Sequence, residues 1–392
     1  MSNQEVGIEL TTANPLKFPD VETESVGIKK HDPEIVHRQD AMHLARGMAI
    51  LLMMIHHVII YFADYDLWDS PVLLWTQKGP GSVAVMFMFI MGINAADPER
   101  NNAKTLARRG AKLFVFAYVL NFVRDQVPLM LSCQFRDLCY DDVYLEGYWD
   151  MFFILDIYPF VGACFLYIAM MRSFSVSEVG QLTLTTIIVM ILSLIETDSD
   201  PTGIFGYFFL GDFYLCYFPF RSWIIFPVVG LLLGSYWRPY GDRTKDSVPM
   251  KKLLIGAVII WVCLFIAMFV FWPNLDHYGF DDEFNYYRQH PLINIFFICQ
   301  NILVLEGFRF LFSKNAIPKV VFKLFKFWSQ NIMPIYIISW MIITWYASLV
   351  IGWYSVTNLY FVVGYSVVVV TLSSLIIHYV PGIGNFLKKM LK

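Results

Sequence analysis

Charged side chains are scarce in this sequence. Asp, Glu, Lys and Arg make up 16% of its 392 residues, whereas hydrophobic residues make up 57%. The mean hydropathy of +0.54 reflects the same balance. Such a composition is typical of a protein that crosses a membrane several times. The net charge of −3 gives no reason to expect nucleic acid as a partner.

The sequence also has few cysteines and lacks common cofactor motifs. Its six cysteines form no CxxC pair and no metal-type cluster, so we expect no bound metal. There is no phosphate-binding loop of the GxxxxGK[ST] type. The segments between apolar runs are too short for a separate soluble catalytic domain, so any chemistry is expected inside the bundle or at its mouths. Cys133 and Cys139 share one polar loop, and the sequence leaves open whether they form a disulfide.

Long apolar runs are what the sequence has instead. Ten of them are long enough to cross a bilayer. An eleventh run, 205–218 (FGYFFLGDFYLCYF), is short and contains Asp212. The ten runs cover residues 42–62, 81–96, 110–131, 150–171, 179–195, 220–237, 252–272, 291–312, 332–352 and 358–380.

The basic residues decide how these runs are oriented. With ten crossings, 22 of the 29 Lys and Arg residues fall in the two terminal segments and in the loops on the same side of the membrane. Cytoplasmic loops carry the basic excess in membrane proteins, so both termini are predicted to be cytoplasmic. A full crossing by 205–218 would move the basic loop 237–252 outside. That segment is therefore predicted to be re-entrant or interfacial.

These observations give a domain organisation. We predict an all-α polytopic membrane protein with about ten transmembrane helices. Residues 1–40 are polar, contain no apolar core followed by a cleavage site, and are predicted to be a disordered cytoplasmic tail. Residues 41–385 form the transmembrane domain, and residues 386–392 form a basic cytoplasmic C-terminus.

Arg46 and His57 are ionisable residues inside the first apolar run, where such side chains are costly and usually functional. An α-helix turns by about 100° per residue, so the side chains of Arg46 and His57 point within about 20° of each other around the helix axis. Along the axis they lie roughly 16 Å apart. His56 points about 80° away. The guanidinium can bind a phosphate with two prongs, and a desolvated neutral imidazole can accept a proton. The alternatives are an arginine that snorkels to the headgroups and a histidine that bonds a neighbouring helix.

The segments HLARGMAILLMMIHH and SVAVMFMFIMGINAA resemble the integral-membrane acyltransferases. These are the acyltransferase-3 proteins and the heparan-α-glucosaminide N-acetyltransferase-like proteins. Their first helix carries an arginine and a histidine at the spacing of Arg46 and His57, and their next helix carries an F-x-F-x-x-G pattern that ends here at Gly92. The segments 216–237 and 328–343 are similar to two later helices of the family.

Two positions depart from the family pattern. The aspartate that usually stands three residues before the arginine is His43 here. The usual histidine of the late helix is replaced by Ser339 or Trp340.

The resemblance implies roles for several residues. His57 would be the catalytic base or a transient acyl carrier, and the donor would be an acyl-coenzyme A, most simply acetyl-coenzyme A. Arg46, Arg108 and Arg109 would hold the phosphates of the donor. The positive-inside rule explains Arg108 and Arg109 equally well.

Asp156 lies three residues before Pro159 in the fourth run. It either orients His57 or forms a structural bond between helices. Glu306 and Arg309 are spaced three apart and are predicted to neutralise each other along one helix face.

The outer mouth offers candidates for the acceptor site. Arg221, Trp223 and His290 are predicted to bind the acceptor. The outer loops are rich in aromatic and acidic residues, which suit a carbohydrate, although the same residues make an interfacial belt.

We therefore predict a multi-pass acyltransferase of the plasma membrane. It would move an acyl group from cytoplasmic acyl-coenzyme A to a hydroxyl or amine of a carbohydrate or lipid-linked acceptor at the outer face. The expected partners are the lipid bilayer, the donor and the acceptor, and a homo-oligomer is left open. The alternative is a proton-coupled secondary transporter that uses His57, Asp156 and Glu306 as a relay.

Overall fold

The computed structural model describes a chain whose regular elements are helices. The described residues are 33–64, 82–97, 101–136, 149–193, 204–210, 216–237, 250–267, 289, 291–351 and 356–391. Within these ranges there is no β-sheet, only two isolated bridges that join Ala63 to Val356 and Leu155 to Cys216. The predicted all-α class is confirmed.

The helices follow the apolar runs of the sequence. In the first half they are α1 Pro33–Phe62, α2 Ser82–Ala95, α3 Ala103–Asn121, α4 Val127–Arg136, α5 Asp150–Phe153, α6 Ile157–Ser173 and α7 Glu178–Ser193. In the second half they are α8 Ile204–Leu210, α9 Phe220–Trp223, α10 Ile225–Trp237, α11 Met250–Ile266, α12 Pro291–Ser313, α13 Lys319–Gln330, α14 Ile332–Tyr346, α15 Leu359–Tyr379 and α16 Pro381–Leu391. Two π-helical turns, Phe122–Gln126 and Ala347–Ile351, continue α3 and α14.

Five helical segments are long and apolar enough to cross a membrane: Arg38–Phe62, Ala103–Phe135, Pro291–Ser313, Ile332–Ile351 and Leu359–Tyr379. Five shorter apolar helices of 10–17 residues lie among the described ranges. Many side chains that face outward from the bundle are apolar, such as Ile187 of α7, Ile259 of α11 and Val367 of α15. Water does not favour so extensive an apolar exterior, whereas lipid does. The number of crossings itself stays a prediction.

Two segments predicted as polar loops or tails contain helix. Helix α1 begins at Pro33, inside the stretch expected to be a disordered tail, and residues 1–32 lie outside the described part. Helix α13 occupies most of the basic loop 313–331, with Lys319 and Lys323 exposed beside the exposed Val320. A basic amphipathic helix of this kind is suited to the membrane interface. Of the 205–218 segment, the structure describes α8 and the residues from Cys216 onward.

Helix α1 lies at the centre of the bundle. It packs against α2, α12, α13, α14 and α15. Gly47 allows its contact with α13, because a Cβ at this position would lie 2.5 Å from the carbonyl oxygen of Phe325. The helix that carries Arg46 and His57 is thereby enclosed on several sides.

Helices α2 and α10 approach each other through glycines. A Cβ at Gly92 would overlap the carbonyl oxygen of Pro227, and a Cβ at Gly230 would overlap the carbonyl oxygen of Phe89. Small residues at helix interfaces let backbones come close where no hydrophobic effect drives association. Gly92 and Gly230 serve this close packing. The helices α3 and α6 meet in the same way at Gly110 and Gly162.

We expect Gly92→Ala to destabilise the bundle by about 1–3 kcal/mol, because the added methyl forces α2 and α10 apart. Unfolding of the purified protein by SDS titration, followed by circular dichroism, measures the effect. The matched control is Gly256→Ala on α11, where a Cβ meets nothing within 4 Å. Equal stability of the two variants would contradict the close packing of α2 on α10.

Candidate active site

A cavity of about 620 Å³ lies between α1, α2, α3, α6 and α14. This volume is in the usual range for ligand pockets. One part of its wall is polar and contains Arg46, Asn94, Asp97, Asn101 and Arg109. The middle is apolar. The other polar lining residues are Tyr158, Tyr336 and Gln330.

Hydrogen bonds fix the side chains of the polar wall. The Nη1 atom of Arg109 donates to Oδ1 of Asn101 at 2.6 Å, and Nδ2 of Asn101 donates to the carbonyl oxygen of Asn94 at 2.9 Å. Arg172 of α6 donates to the carbonyl oxygens of Asn101 and Ala95. The end of α2 and the residue Asn101 before α3 are therefore held against α6. Arg109 points its charge toward the cavity from a braced position.

The second arginine of this wall is Arg46, and it lies next to His43. The Nη2 atom of Arg46 lies 3.4 Å from Nδ1 of His43. The same Nδ1 lies 3.0 Å from the hydroxyl oxygen of Ser329 in α13. His43 thus links α1 to α13 and lies next to the guanidinium, in the position where the related proteins have an aspartate.

Near the two tyrosines a buried polar network surrounds Asp156. Its Oδ2 atom accepts a hydrogen bond from Nη1 of Arg124 at 2.7 Å and from the hydroxyl of Tyr336 at 2.8 Å. Its Oδ1 atom accepts from the backbone N–H of Ile157 at 2.6 Å and so caps helix α6. Arg124 also pairs with Asp125 at 2.7 Å. Buried charges need such partners.

The π-helical turn Phe122–Gln126 explains how α3 supplies this network. A π turn contains one extra residue and rotates the chain relative to an α-helix. Arg124, Asp125 and Gln126 are consecutive and all three are buried. Neighbouring residues of a regular helix point about 100° apart, so the wider turn helps to bring several polar side chains to the interior.

His57 lies against the same network. Its ring centroid is 4.0 Å from that of Trp340 and 5.9 Å from that of Tyr336. The guanidinium of Arg124 sits over the Trp340 ring at 4.7 Å. Met53 lines the cavity one helical turn before His57. The Nδ1 atom of His57 is buried and has no hydrogen-bond partner in the described chain.

The structure brings some of the predicted site residues together and separates others. Arg46 and Arg109 line one cavity, whereas Arg108 is exposed and does not line it. Asp156 bonds to Arg124 and Tyr336 and makes no hydrogen bond with His57.

Two of the residues predicted for the acceptor, Arg221 and Trp223, share one short helix and do not line this cavity. Trp223 is fully buried and packs on Phe218 and Phe226, and Arg221 is half-buried in the same short helix. His290 lies outside the described residues. Among the described residues no group of His, Cys, Asp or Glu could hold a metal ion.

The sequence analysis did not predict Tyr158 and Tyr336 as site residues. Tyr336 stands four residues before Trp340, so helical spacing places both on the face that meets His57. Tyr158 stands two residues after Asp156. Spacing within one helix cannot show that Tyr336 and Asp156 meet, because they are 180 positions apart. Cys133 is disulfide-bonded, while Cys139 lies outside the described residues.

A helical bundle with an apolar exterior and an internal cavity lined partly by arginines is typical of a multi-pass membrane protein. The comparisons with known proteins give its family. The family model described as an acyltransferase domain, acyltransferase 3, matches residues 39–378. The chain therefore belongs to the acyltransferase 3 superfamily. No curated protein and no solved structure was found to match it.

Asp156→Ala should lower the free energy of unfolding by about 3 kcal/mol, because it leaves a buried guanidinium and a buried phenol with fewer partners. This loss is at the lower end of the range for breaking a buried ion pair, because Arg124 still has its ion pair with Asp125. Lys104→Gln, which removes a charge from an exposed side chain of α3, is the control. SDS-titration unfolding compares the two. Wild-type stability of Asp156→Ala would contradict the network.

Proposed function

We propose that this chain moves an acyl group, most simply acetyl, from cytoplasmic acyl-coenzyme A to a hydroxyl or amine of a carbohydrate-type acceptor at the outer face of the plasma membrane. The observation that carries the proposal is the shared cavity. It connects Arg46 and Arg109 with Tyr336, whose ring packs against His57. Membership of the acyltransferase 3 superfamily supports the reaction class.

The polar wall suits the phosphate groups of the donor. Arginine binds phosphate with two parallel N–H bonds and stays charged at any physiological pH. Arg46 and Arg109 approach the cavity from two different helices, and Asn101 braces Arg109. The apolar middle, which includes Leu113, Val161 and Phe165, suits the pantetheine arm. The acyl group would then lie near the tyrosines.

His57 suits the role of general base. The imidazole accepts the proton of the acceptor hydroxyl or amine while the acceptor atom bonds to the thioester carbon. When the tetrahedral intermediate collapses, the carbon–sulfur bond breaks and the thiolate of coenzyme A takes the proton from His57. The Nδ1 atom has no partner in the described chain, which leaves a ring nitrogen ready for this exchange.

Asp156 is proposed as a positioning residue. It holds the hydroxyl of Tyr336 and the guanidinium of Arg124, and both of these side chains contact the Trp340 ring that packs on His57. A carboxylate can thus orient the base through two neighbours without bonding to it. Pre-organised groups of this kind spare reorganisation during the reaction.

The direction of transfer rests on the positive-inside rule. Ten crossings place the basic loops, and with them Arg109 and the N-terminal half of α1, on the cytoplasmic side. Acyl-coenzyme A is expected to enter from there. Arg221 and His290 remain proposed contacts of the acceptor, and the buried Trp223 would support the helix of Arg221 through packing.

The transporter alternative needs carboxylates that exchange protons. Asp156 is paired with Arg124 at 2.7 Å, and Glu306 is paired with Arg309 at 2.6 Å, as predicted from their spacing. A proton relay through these carboxylates would have to break their ion pairs with arginine. The observed pairing therefore favours transfer chemistry over a relay through these two residues.

His57→Gln should abolish release of free coenzyme A from acetyl-coenzyme A, with a fall of at least about 10²-fold because the base is lost. Donor binding, measured by isothermal titration, should persist because the arginines are untouched. His56→Gln, which changes the neighbouring side chain on another helix face, should keep most of the turnover. Undiminished turnover of His57→Gln would end the assignment of the base.

Arg109→Gln should raise KM for the donor by about 10-fold or more, since a charge-assisted bond to phosphate is worth about 1.5–3 kcal/mol. Arg108→Gln removes the same charge from the next residue, which is exposed and outside the cavity. Its effect on KM should be smaller. Initial rates at varied acetyl-coenzyme A measure both. Equal shifts in the two variants would show that only the general basic charge matters.

A further inference from the structure

Tyr158 is the second tyrosine of the cavity wall, and its hydroxyl makes no hydrogen bond in the described chain. The residue is 4% exposed, and its hydroxyl oxygen is buried without a hydrogen-bond partner in the described chain. Tyr336, the other tyrosine of the wall, gives its hydroxyl to Asp156. Buried hydroxyls are normally bonded, and an unbonded one calls for an explanation.

The ring of Tyr158 is firmly held. It packs edge-to-face on Tyr336 at 5.2 Å and on Phe116 at 5.5 Å between ring centroids. It belongs to the first turn of α6, whose cap is Asp156. A rigid ring keeps the hydroxyl in one place at no entropic cost during a reaction. The residue lines the cavity and its hydroxyl makes no hydrogen bond in the described chain, so a ligand in the cavity is the hydrogen-bond partner that we consider.

We propose that the hydroxyl of Tyr158 donates a hydrogen bond to the thioester carbonyl oxygen of the bound donor and stabilises the negative charge that this oxygen gains in the tetrahedral intermediate. This inference rests on the proposed function, and it adds an oxyanion donor to the base. The acceptor atom bonds to the thioester carbon as His57 takes its proton, and the carbonyl π electrons move onto the oxygen. Tyr158 keeps its own proton throughout. When the carbonyl re-forms, the coenzyme A thiolate leaves and is protonated by His57.

The geometry is consistent with two groups acting on one carbonyl. Tyr158 and His57 both pack against Tyr336, with centroids at 5.2 Å and 5.9 Å. A thioester beside the Tyr336 ring can therefore have its oxygen near one group and its incoming acceptor near the other. The site is buried, and hydrogen bonds to developing charge are strongest where water is excluded.

A spectroscopic test requires only that the donor binds. The full-length protein in detergent is mixed with acetyl-coenzyme A that carries carbon-13 at the carbonyl, and the carbonyl stretch is read by isotope-edited infrared difference spectroscopy. A hydrogen bond lowers the stretching frequency. The wild type should show a lowered frequency, and Tyr158→Phe should return it toward the value of the free thioester. An unchanged frequency between the two proteins would overturn the inference.

The kinetic test uses a matched tyrosine of the same helix. Removing one oxyanion donor lowers kcat by about 10²–10³-fold, so Tyr158→Phe should lower kcat for coenzyme A release with little change in KM. Tyr167→Phe makes the same change nine positions further along α6, where the hydroxyl bonds to Thr185, and should keep the wild-type rate. Because the Tyr158 hydroxyl has no hydrogen-bond partner in the described chain, its variant should melt no lower than the wild type.

The outcomes separate the inference from the proposed function. A wild type that binds no acetyl-coenzyme A overturns both. A wild type that binds and turns over the donor, together with an equally active Tyr158→Phe, overturns the inference alone. A raised KM with unchanged kcat for Tyr158→Phe also overturns the inference, because the hydroxyl would then contact the donor only in the ground state. A clear loss of stability overturns it as well, because the hydroxyl would then have a structural role.

Discussion

The burial of charge in a low-dielectric bundle is the constraint on which the rest of this structure depends. An unpaired guanidinium in the interior would cost several kcal/mol, so Arg124 requires the carboxylates of Asp125 and Asp156 beside it. These bonds join α3 to the start of α6, and the hydroxyl of Tyr336 adds α14. These bonds thereby join three helices, and they position the aromatic rings that surround His57.

The cavity follows from the same arrangement. Helices α3 and α6 are in close contact at Gly110 and Gly162, and the cavity lies between these two helices and helices α1 and α2. Under the proposed function, the arginines that line this space would face the phosphates of the donor and the phenols would face its thioester. The arm would lie between them.

Much of this could be predicted from the sequence. Periodicity and hydropathy located the helices, because a membrane span must be long and apolar. The helical phase predicted that Arg46 and His57 share one face of α1, and the spacing of Glu306 and Arg309 correctly gave their ion pair. Both results depend only on geometry within one helix.

Contacts between distant helices could not be predicted in this way. The sequence offered Asp156 either as a group that orients His57 or as a structural bond between helices, and the structure shows bonds to Arg124 and Tyr336. The sequence could not choose, because a bond between helices depends on their rotation. The π-helical turn at Phe122–Gln126 changes that rotation and brings Arg124 to Asp156. Arg108 and Arg109 look alike in the sequence, and only the packing of α3 against α6 separates the exposed residue from the one in the cavity wall.

The most direct test of the central claim is a density map of the protein with a non-hydrolysable acetyl-coenzyme A analogue. The account predicts phosphate oxygens within hydrogen-bonding distance of Arg46 and Arg109, the arm along the apolar wall, and the acyl carbon beside His57. A donor bound elsewhere on the molecule, or with its acyl end far from His57, would contradict it.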